Sequence, residues 1–190
     1  MRVISPVRSA LLRGTAAVIA ASLYAHAGAQ TARPAPEAPP TAAEQIAALI
    51  KARKPQEALA RADDVLAKQP RNVQVRFLRA VLLGDLGRSA EAAAALESMT
   101  QDFPELPEPH NNLGVMLAGQ GRYEQARAAL QRAVAAAPDY VTAHENLGDL
   151  YLAMAADAYR QAAELDPKSG AIQNKLKLAR ELVARVPTIK

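Results

Sequence analysis

Residues 112–138 read NLGVMLAGQGRYEQARAALQRAVAAAP, and the spacing of small, large and turn-forming residues in this stretch recurs along the chain. Pro70, Pro104 and Pro138 stand 34 residues apart. Aligning the repeats on these prolines gives columns of equivalent positions ahead of them. These columns contain Ala58, Ala92 and Ala126; Ala62, Leu96 and Leu130; Val65, Met99 and Ala133; and Leu49, Leu83, Leu117 and Tyr151. A fixed period of this length is typical of stacked helical hairpins.

The small residues have a structural explanation in such a stack. A single helix pair cannot bury its apolar face alone, so successive pairs must stack. Gly114 and Gly148 share a column where two helices approach closely, and we expect that a Leu at either position overpacks the interface. Gly87 and Gly121 fall between the two apolar runs of their units, where glycine adopts a left-handed turn conformation without steric cost.

The repeat resembles the tetratricopeptide family in Asn112-Leu113-Gly114, Gly121-Arg122-Tyr123, Ala126, Leu130, Ala133 and Pro138. The resemblance implies an all-α fold, a right-handed α-solenoid of about four helical hairpins with a C-terminal capping helix. It also implies a non-enzymatic protein-interaction scaffold that binds a peptide segment of a partner in a concave groove. In the family the first helix of each pair lines that groove, so the candidate contacts in this chain are Phe77, Val81, Asn111, Val115, Glu145 and Asp149.

Composition agrees with an all-α class. Half of the 190 residues are hydrophobic but only 4% are aromatic, so packing relies on Ala and Leu, and no stretch shows the alternation of a strand. The chain has no Cys, which excludes disulfides, thiolate metal sites and thiol nucleophiles. We predict no cofactor, no metal site and no catalytic residue. An envelope enzyme with an unrecognised site is the least favoured alternative.

The N-terminus has the pattern of a secretory signal peptide over residues 1–29. Arg2, Arg8 and Arg13 occur there without an acidic residue, and an apolar run from Thr15 to Ala25 precedes small residues. We predict cleavage after Ala29, or after Ala27 as a second site, and a periplasmic or secreted protein. The open alternatives are a mitochondrial transit peptide and an uncleaved anchor, although about 11 apolar residues are too few to span roughly 30 Å of hydrocarbon.

Net charge does not favour nucleic acid as a partner. The chain has 23 basic and 19 acidic residues, and three of the basic ones lie in the predicted signal peptide. The remaining chain is therefore close to neutral. It lacks a Lys/Arg-rich block with interleaved aromatic residues, so we predict no nucleic-acid binding, and no membrane insertion after signal cleavage.

The chain divides into a Pro/Ala-rich linker (30–40), units at about 41–70, 73–104 and 107–138, a shortened fourth unit (141–167), a capping helix (169–186) and a tail (187–190). Thr41 with Glu44 predicts a capping box, Pro55 and Pro109 suit a first helical turn, and Ser169 can cap the last helix.

The fourth unit closes at Pro167, five residues early, and contains neither Gly nor Pro between Gly148 and Pro167. This predicts one continuous helix over 141–165, or else a tight turn near 153–156. A long helix could pair with its copy, so a structural homodimer is the alternative function.

Two further kinds of site are disfavoured. His110 and His144 are 34 residues apart and occupy one slot of successive repeats, which favours packing over metal binding. The family's carboxylate clamp for chaperone tails needs Lys and Arg beside an Asn, and the neighbouring units offer no basic residue in those slots. We therefore expect no docking of Hsp70- or Hsp90-type C-termini.

Overall fold

The computed structural model describes residues 39–186, and within that range the backbone forms eight α-helices and no β-strand. The helices are α1 (Ala42–Lys51), α2 (Pro55–Lys68), α3 (Val73–Asp85), α4 (Ser89–Asp102), α5 (Pro107–Gly119), α6 (Tyr123–Ala136), α7 (Val141–Leu165) and α8 (Gly170–Arg185). Most of the linker, the predicted signal peptide and the tail lie outside the described residues. Within residues 39–186, no helix combines the length and apolar character needed to cross a bilayer.

The predicted helix starts are confirmed. The Thr41 hydroxyl accepts a hydrogen bond from the Glu44 backbone N–H at 3.2 Å, and the Glu44 carboxylate accepts one from the Thr41 N–H at 2.7 Å, which completes a capping box. The Ser169 hydroxyl caps α8 in the same way, accepting from Ile172 N–H at 3.4 Å. Pro55 is the first residue of α2.

The turns inside the units follow the repeat. Gly87 has φ 76° and Gly121 has φ 75°, the left-handed conformation that the sequence predicts. Arg53 occupies the same slot in the first unit and adopts φ 58°. A side chain in this region carries a steric cost that glycine avoids, so the first turn is the most strained of the three.

Helices pack mainly against their neighbours in sequence, as a stack of pairs requires. One apolar cluster extends from Ile46 through Leu82 and Leu96 to Met116, and a second contains Leu130 and Leu150. The alanines of the shared column, Ala58, Ala92 and Ala126, are fully buried at 0% exposure. These small residues let the first and second helices of each unit approach closely.

The fourth unit is one continuous helix. α7 runs 25 residues from Val141 to Leu165 without a break, which confirms the sequence prediction and gives a length of about 37 Å. Its first part packs against α5 and α6 through Leu147 and Leu150. Its second part meets α8, where the Lys175 ammonium lies 5.8 Å from the centre of the Tyr159 ring.

Gly114 and Gly148 share a repeat column but not an environment. A Cβ at Gly114 would lie 2.5 Å from Leu130 Cγ and 3.1 Å from the Ala126 carbonyl oxygen, so the close approach predicted there is confirmed. A Cβ at Gly148 would meet no atom within 4 Å, so the expectation that a Leu at Gly148 overpacks a neighbour is wrong for the single chain. The reason is that, among the described residues, no helix folds back over the side of α7 that carries Gly148.

This difference gives the first testable prediction. Gly114→Ala should destabilise the protein by about 1–3 kcal/mol because the added methyl overpacks the α5–α6 contact. Gly148→Ala should be neutral or stabilising by up to about 1 kcal/mol, since alanine restricts the unfolded chain and favours a helix interior. Urea unfolding followed by circular dichroism measures both variants. Equal effects of the two substitutions would contradict the packing described.

Candidate functional site

The first helices of successive units lie side by side and form a surface that we name the first-helix wall, made of α1, α3, α5 and residues 141–153 of α7. α1 contacts α3, and α5 contacts α7. Between α3 and α5, a Cβ at Gly84 would lie 3.7 Å from Met116 Cε. The wall therefore continues across all four units.

The six predicted contacts differ in how far a partner can reach them. Four are buried in the described chain, and they are Phe77 (7% exposed), Val81 (8%), Val115 (7%) and Asn111 (0%). Glu145 is exposed and Asp149 is half-buried. The two predicted contacts on each of α3, α5 and α7 are four residues apart, which keeps both on one side of their helix. The apolar members thus form a packed floor, and the accessible chemistry of the set is acidic.

A buried amide pair links two first helices of the wall. Asn146 Nδ2 on α7 donates a hydrogen bond to Asn111 Oδ1 on α5 over 2.8 Å, and both side chains are buried. The Asn111 Nδ2 group has no hydrogen-bond partner among the described residues. The hydrogen bond to Asn146 therefore matters for stability, because a buried donor or acceptor without a hydrogen-bond partner costs about 1–3 kcal/mol. Sequence reasoning missed Asn146, since it lies 35 residues from Asn111 rather than in the same repeat column.

Two carboxyl groups of the wall have pKa values above their ordinary range. Partial burial, and then the negative charge of Glu145, raise the pKa of Asp149 above its ordinary value. Partial burial alone raises the pKa of Asp85. Asp85 continues the four-residue series of Phe77 and Val81 by one step, so extending that series along α3 is the sequence signal that would have found it.

A third part of the wall lies where α5 begins. Burial raises the pKa of the Tyr140 phenol, and the negative charge of Glu108, on α5, raises it further. The Glu108 backbone carbonyl accepts a hydrogen bond from Asn112 Nδ2 at 2.9 Å. Glu108 therefore adds an acidic group to the wall at the start of the third unit.

The two arginines of α3 pair with acids outside the wall. Arg76 and Arg79 on α3 reach the second helices, where Arg76 Nη2 lies 2.6 Å from Asp102 Oδ2 and Arg79 Nε contacts Asp63. Within the described chain, none of the wall acids forms an ion pair, and these acids are Asp85, Glu108, Glu145 and Asp149. In units two to four the acids of the first-helix wall are consequently without an ion-pair partner in the described chain, and the unpaired lysine of the wall, Lys51, lies in the first unit.

His110 is buried and His144 is exposed, and both hydrogen-bond to a backbone carbonyl. His110 Nε2 lies 3.0 Å from the Pro104 carbonyl oxygen, and His144 Nε2 lies 2.9 Å from that of Pro138. Each imidazole N–H donates to the carbonyl of the proline that closes the preceding unit, so the two bonds repeat along the chain. No group of three potential metal ligands converges within residues 39–186.

Comparisons with known proteins agree with this architecture. A family model described as tetratricopeptide repeat matches residues 44–107, and a second, described as TPR repeat, matches residues 116–154. Together the two matches cover more than half of the chain. The comparison with curated proteins gave no match.

Several solved structures have a similar fold. A crystal structure of MamA is 23% identical with a TM-score of 0.55, covering 74% of this chain and 85% of that one. MamA 41-end from Desulfovibrio magneticus RS-1 is 20% identical with a TM-score of 0.53, covering 76% and 71%. A structure of Naa15/Naa10 bound to HypK-THB is 16% identical with a TM-score of 0.50, covering 75% of this chain and 22% of that one. At these identities the likeness shows the fold alone, an all-α solenoid.

The amide pair gives the second prediction. Asn146→Ala should lower the free energy of unfolding by about 1–3 kcal/mol, because it leaves both polar groups of the buried Asn111 amide unsatisfied. The matched control is Asn174→Ala, at an exposed position of α8. Urea unfolding of both variants tests this. Equal midpoints would show that the hydrogen bond between α5 and α7 contributes nothing to stability.

Proposed function

Because the chain belongs to the tetratricopeptide repeat family, we propose that it is a non-enzymatic interaction scaffold whose first-helix wall holds a segment of a partner protein that carries Lys or Arg. The observation that carries this proposal is the charge of the wall. Four acidic side chains lie on its part in units two to four, and the described chain offers none of them an ion pair.

Partial desolvation makes these acids receptive to a cation. Partial burial makes the ionised form of Asp149 less favourable than in bulk solvent, as its raised pKa indicates, and the pKa of the more exposed Asp85 is raised for the same reason. A Lys or Arg of a bound segment replaces the missing solvation with an opposite charge. Such complementarity contributes mainly to specificity and to the rate of encounter.

The same charges argue against other occupants. A C-terminal carboxylate of a chaperone tail would meet Glu145 and Asp149 without a basic group to hold it, and like charges repel. Nucleic-acid phosphates would be disfavoured in the same way. The groove that we propose therefore favours a basic, extended or helical peptide.

We assign no catalytic role to this wall. Glu145 and Asp149 stand one helical turn apart, as acids on a solvent-facing side often do. An acid–base reaction would also require a nucleophile, a base or a metal placed against them. The family match and the solenoid architecture are those of interaction modules, which supports the same conclusion.

The third prediction tests the acidic wall. Asp149→Asn should weaken binding of a short fluorescent peptide of alternating Lys and Leu by about threefold to tenfold, measured by anisotropy at low salt. The substitution should also raise the melting temperature at neutral pH. The folded state holds the Asp149 proton more tightly than the unfolded state, so stability falls as pH rises from 3.8 through the raised pKa. This gain should vanish in acid, where the carboxyl group is protonated in both states.

The controls separate charge on the wall from charge in general. Asp64→Asn removes an exposed acid on α2 and should leave peptide affinity and melting temperature unchanged. Asp85→Asn tests the wall far from the fourth unit and should weaken the peptide as Asp149→Asn does. A peptide with Glu in place of Lys should not bind. Equal affinity of the wild type and both wall variants would contradict the proposal.

We also propose that the protein is exported, on the support of the N-terminal pattern described above. The fourth prediction is that the chain purified from the periplasm of a bacterial host begins at Gln30, as read by intact mass and N-terminal sequencing. Ala29→Lys should block this cleavage because the site requires small residues. A full-length chain that keeps Met1 and fractionates with the cytoplasm would refute export.

A further inference from the structure

The fourth unit has lost the turn that folds the other units back on themselves. In units two and three the chain reverses at Gly87 and Gly121, both in the left-handed conformation. Between Leu152 and Ala158 the sequence has no glycine or proline, and α7 continues straight through. The two halves of the missing hairpin are therefore present in one helix, pointing in the same direction, and they cannot pack on each other.

The first half of α7 keeps the face that a second helix would cover. The column of Gly114 is buried in units two and three but open in unit four, with Ala80 at 0% exposure, Gly114 buried and Gly148 exposed. The next column behaves alike, with Leu83 at 0%, Leu117 at 5% and Tyr151 at 44%. The empty space at Gly148 is thus the slot that Leu130 and Ala126 fill at Gly114.

The second half of α7 keeps the residues that would fill this slot. Counting back from Pro167 as from the other closing prolines aligns Ala155, Tyr159 and Ala162 with the core columns of the second helices. Their nine counterparts in units one to three are all buried, and they are Ala58, Ala62, Val65, Ala92, Leu96, Met99, Ala126, Leu130 and Ala133. Ala155, Tyr159 and Ala162 are only half-buried. One helix therefore displays both halves of a hairpin interface, and each half is less buried than its counterparts in units one to three.

We propose that a second copy of this chain completes the fourth hairpin, with the second half of α7 and α8 of each copy packing on the first half of α7 of the other. The register follows from unit three. Gly114 meets Ala126 and Leu130, so Gly148 of one copy should meet Ala155 and Tyr159 of the other. These pairings centre on residues 152–153, and the midpoint of Val141–Leu165 is residue 153. An antiparallel α7 pair in this register is therefore symmetric about a two-fold axis.

Charge complementarity favours a second copy as the occupant. Residues 141–153 contain two acidic side chains and no Lys or Arg. The segment that the other copy would bring alongside, residues 154–186, contains six basic side chains and four acidic ones. The opposite net charges of the two segments attract one another at long range, without direct contact to Glu145 and Asp149, and favour this pairing over one between like segments.

The topology is that of a domain swap. Exchange of identical elements follows when a hinge loop becomes too short to allow reversal within the chain. The apolar contacts of the swapped hairpin are equivalent to those that units one to three make within one chain. The exchange therefore requires no new kind of contact. The two-fold arrangement also closes, because each copy gives one segment and receives one.

The fifth prediction uses the absence of cysteine from the chain. In the double variant Gly148→Cys with Ala155→Cys, the two sites are seven residues apart on one helix, about 10 Å along its axis, so they cannot form a disulfide within a copy. In the swapped pair the thiol introduced at position 148 of one copy would face the thiol introduced at position 155 of the other. We expect a covalent dimer on non-reducing gels after mild oxidation, and none from either single variant, whose like positions lie on opposite sides of the axis.

Light scattering on the otherwise unmodified chain gives the companion measurement, with a dimer as the expected result. Gly148→Leu fills the slot and should raise the dimer dissociation constant about tenfold or more, yet it clashes with nothing in the single chain. Inserting Gln-Gly-Arg-Tyr-Glu after Ala153 restores the missing turn on the pattern of residues 120–124 and should give a monomer. A wild-type monomer at high concentration, with the slot then open to a different protein, would overturn the proposal. So would a dimer that survives the insertion or lacks the disulfide.

Discussion

The close approach of the first and second helix within each unit is the contact on which the remaining structure depends. It requires a small residue on one side, such as Ala80 or Gly114, and the fully buried alanine column on the other. Where this contact forms, larger residues on either flank interlock, and the pair presents an apolar face to the next pair. Since each pair contacts mainly its neighbours, the stack stays stable only while this local geometry repeats.

The same packing geometry determines which charged side chains of the first helices form ion pairs. Side chains of the first helices that face the second helices include Arg76 and Arg79, and these find acids there, Asp102 and Asp63. The acids on the opposite side of the first helices are left on the wall without cations. The acidic character of this surface therefore arises from the direction in which the arginines point, and the near-neutral charge of the chain as a whole does not reveal it.

The 34-residue period was sufficient to predict the helical pairs, their turn glycines and caps, and the fusion of the fourth unit, because each depends on local sequence. Burial of Phe77, Val81, Asn111 and Val115 depends instead on how closely neighbouring helices approach, which a period does not specify. Gly148 shows that residues at the same repeat position can have different surroundings. Its repeat position matches that of Gly114. The fourth unit, however, is five residues shorter than the others, so the chain does not turn back to place a second helix over Gly148. The Asn111–Asn146 bond was missed because it crosses between columns.

The fused helix and the wall use different sides of α7. Glu145 and Asp149 follow the wall, whereas Gly148 and Tyr151 follow the side that a second helix would cover, and in an α-helix successive residues are rotated by about 100°. Binding of a partner on the wall is thus sterically compatible with pairing of two copies through the uncovered side. A two-fold pair of solenoids would present two acidic walls, and a partner with two basic segments would gain from engaging both, because the second contact becomes intramolecular. The lost turn would in this way convert a repeat that binds one segment into an assembly that favours a bivalent or dimeric partner.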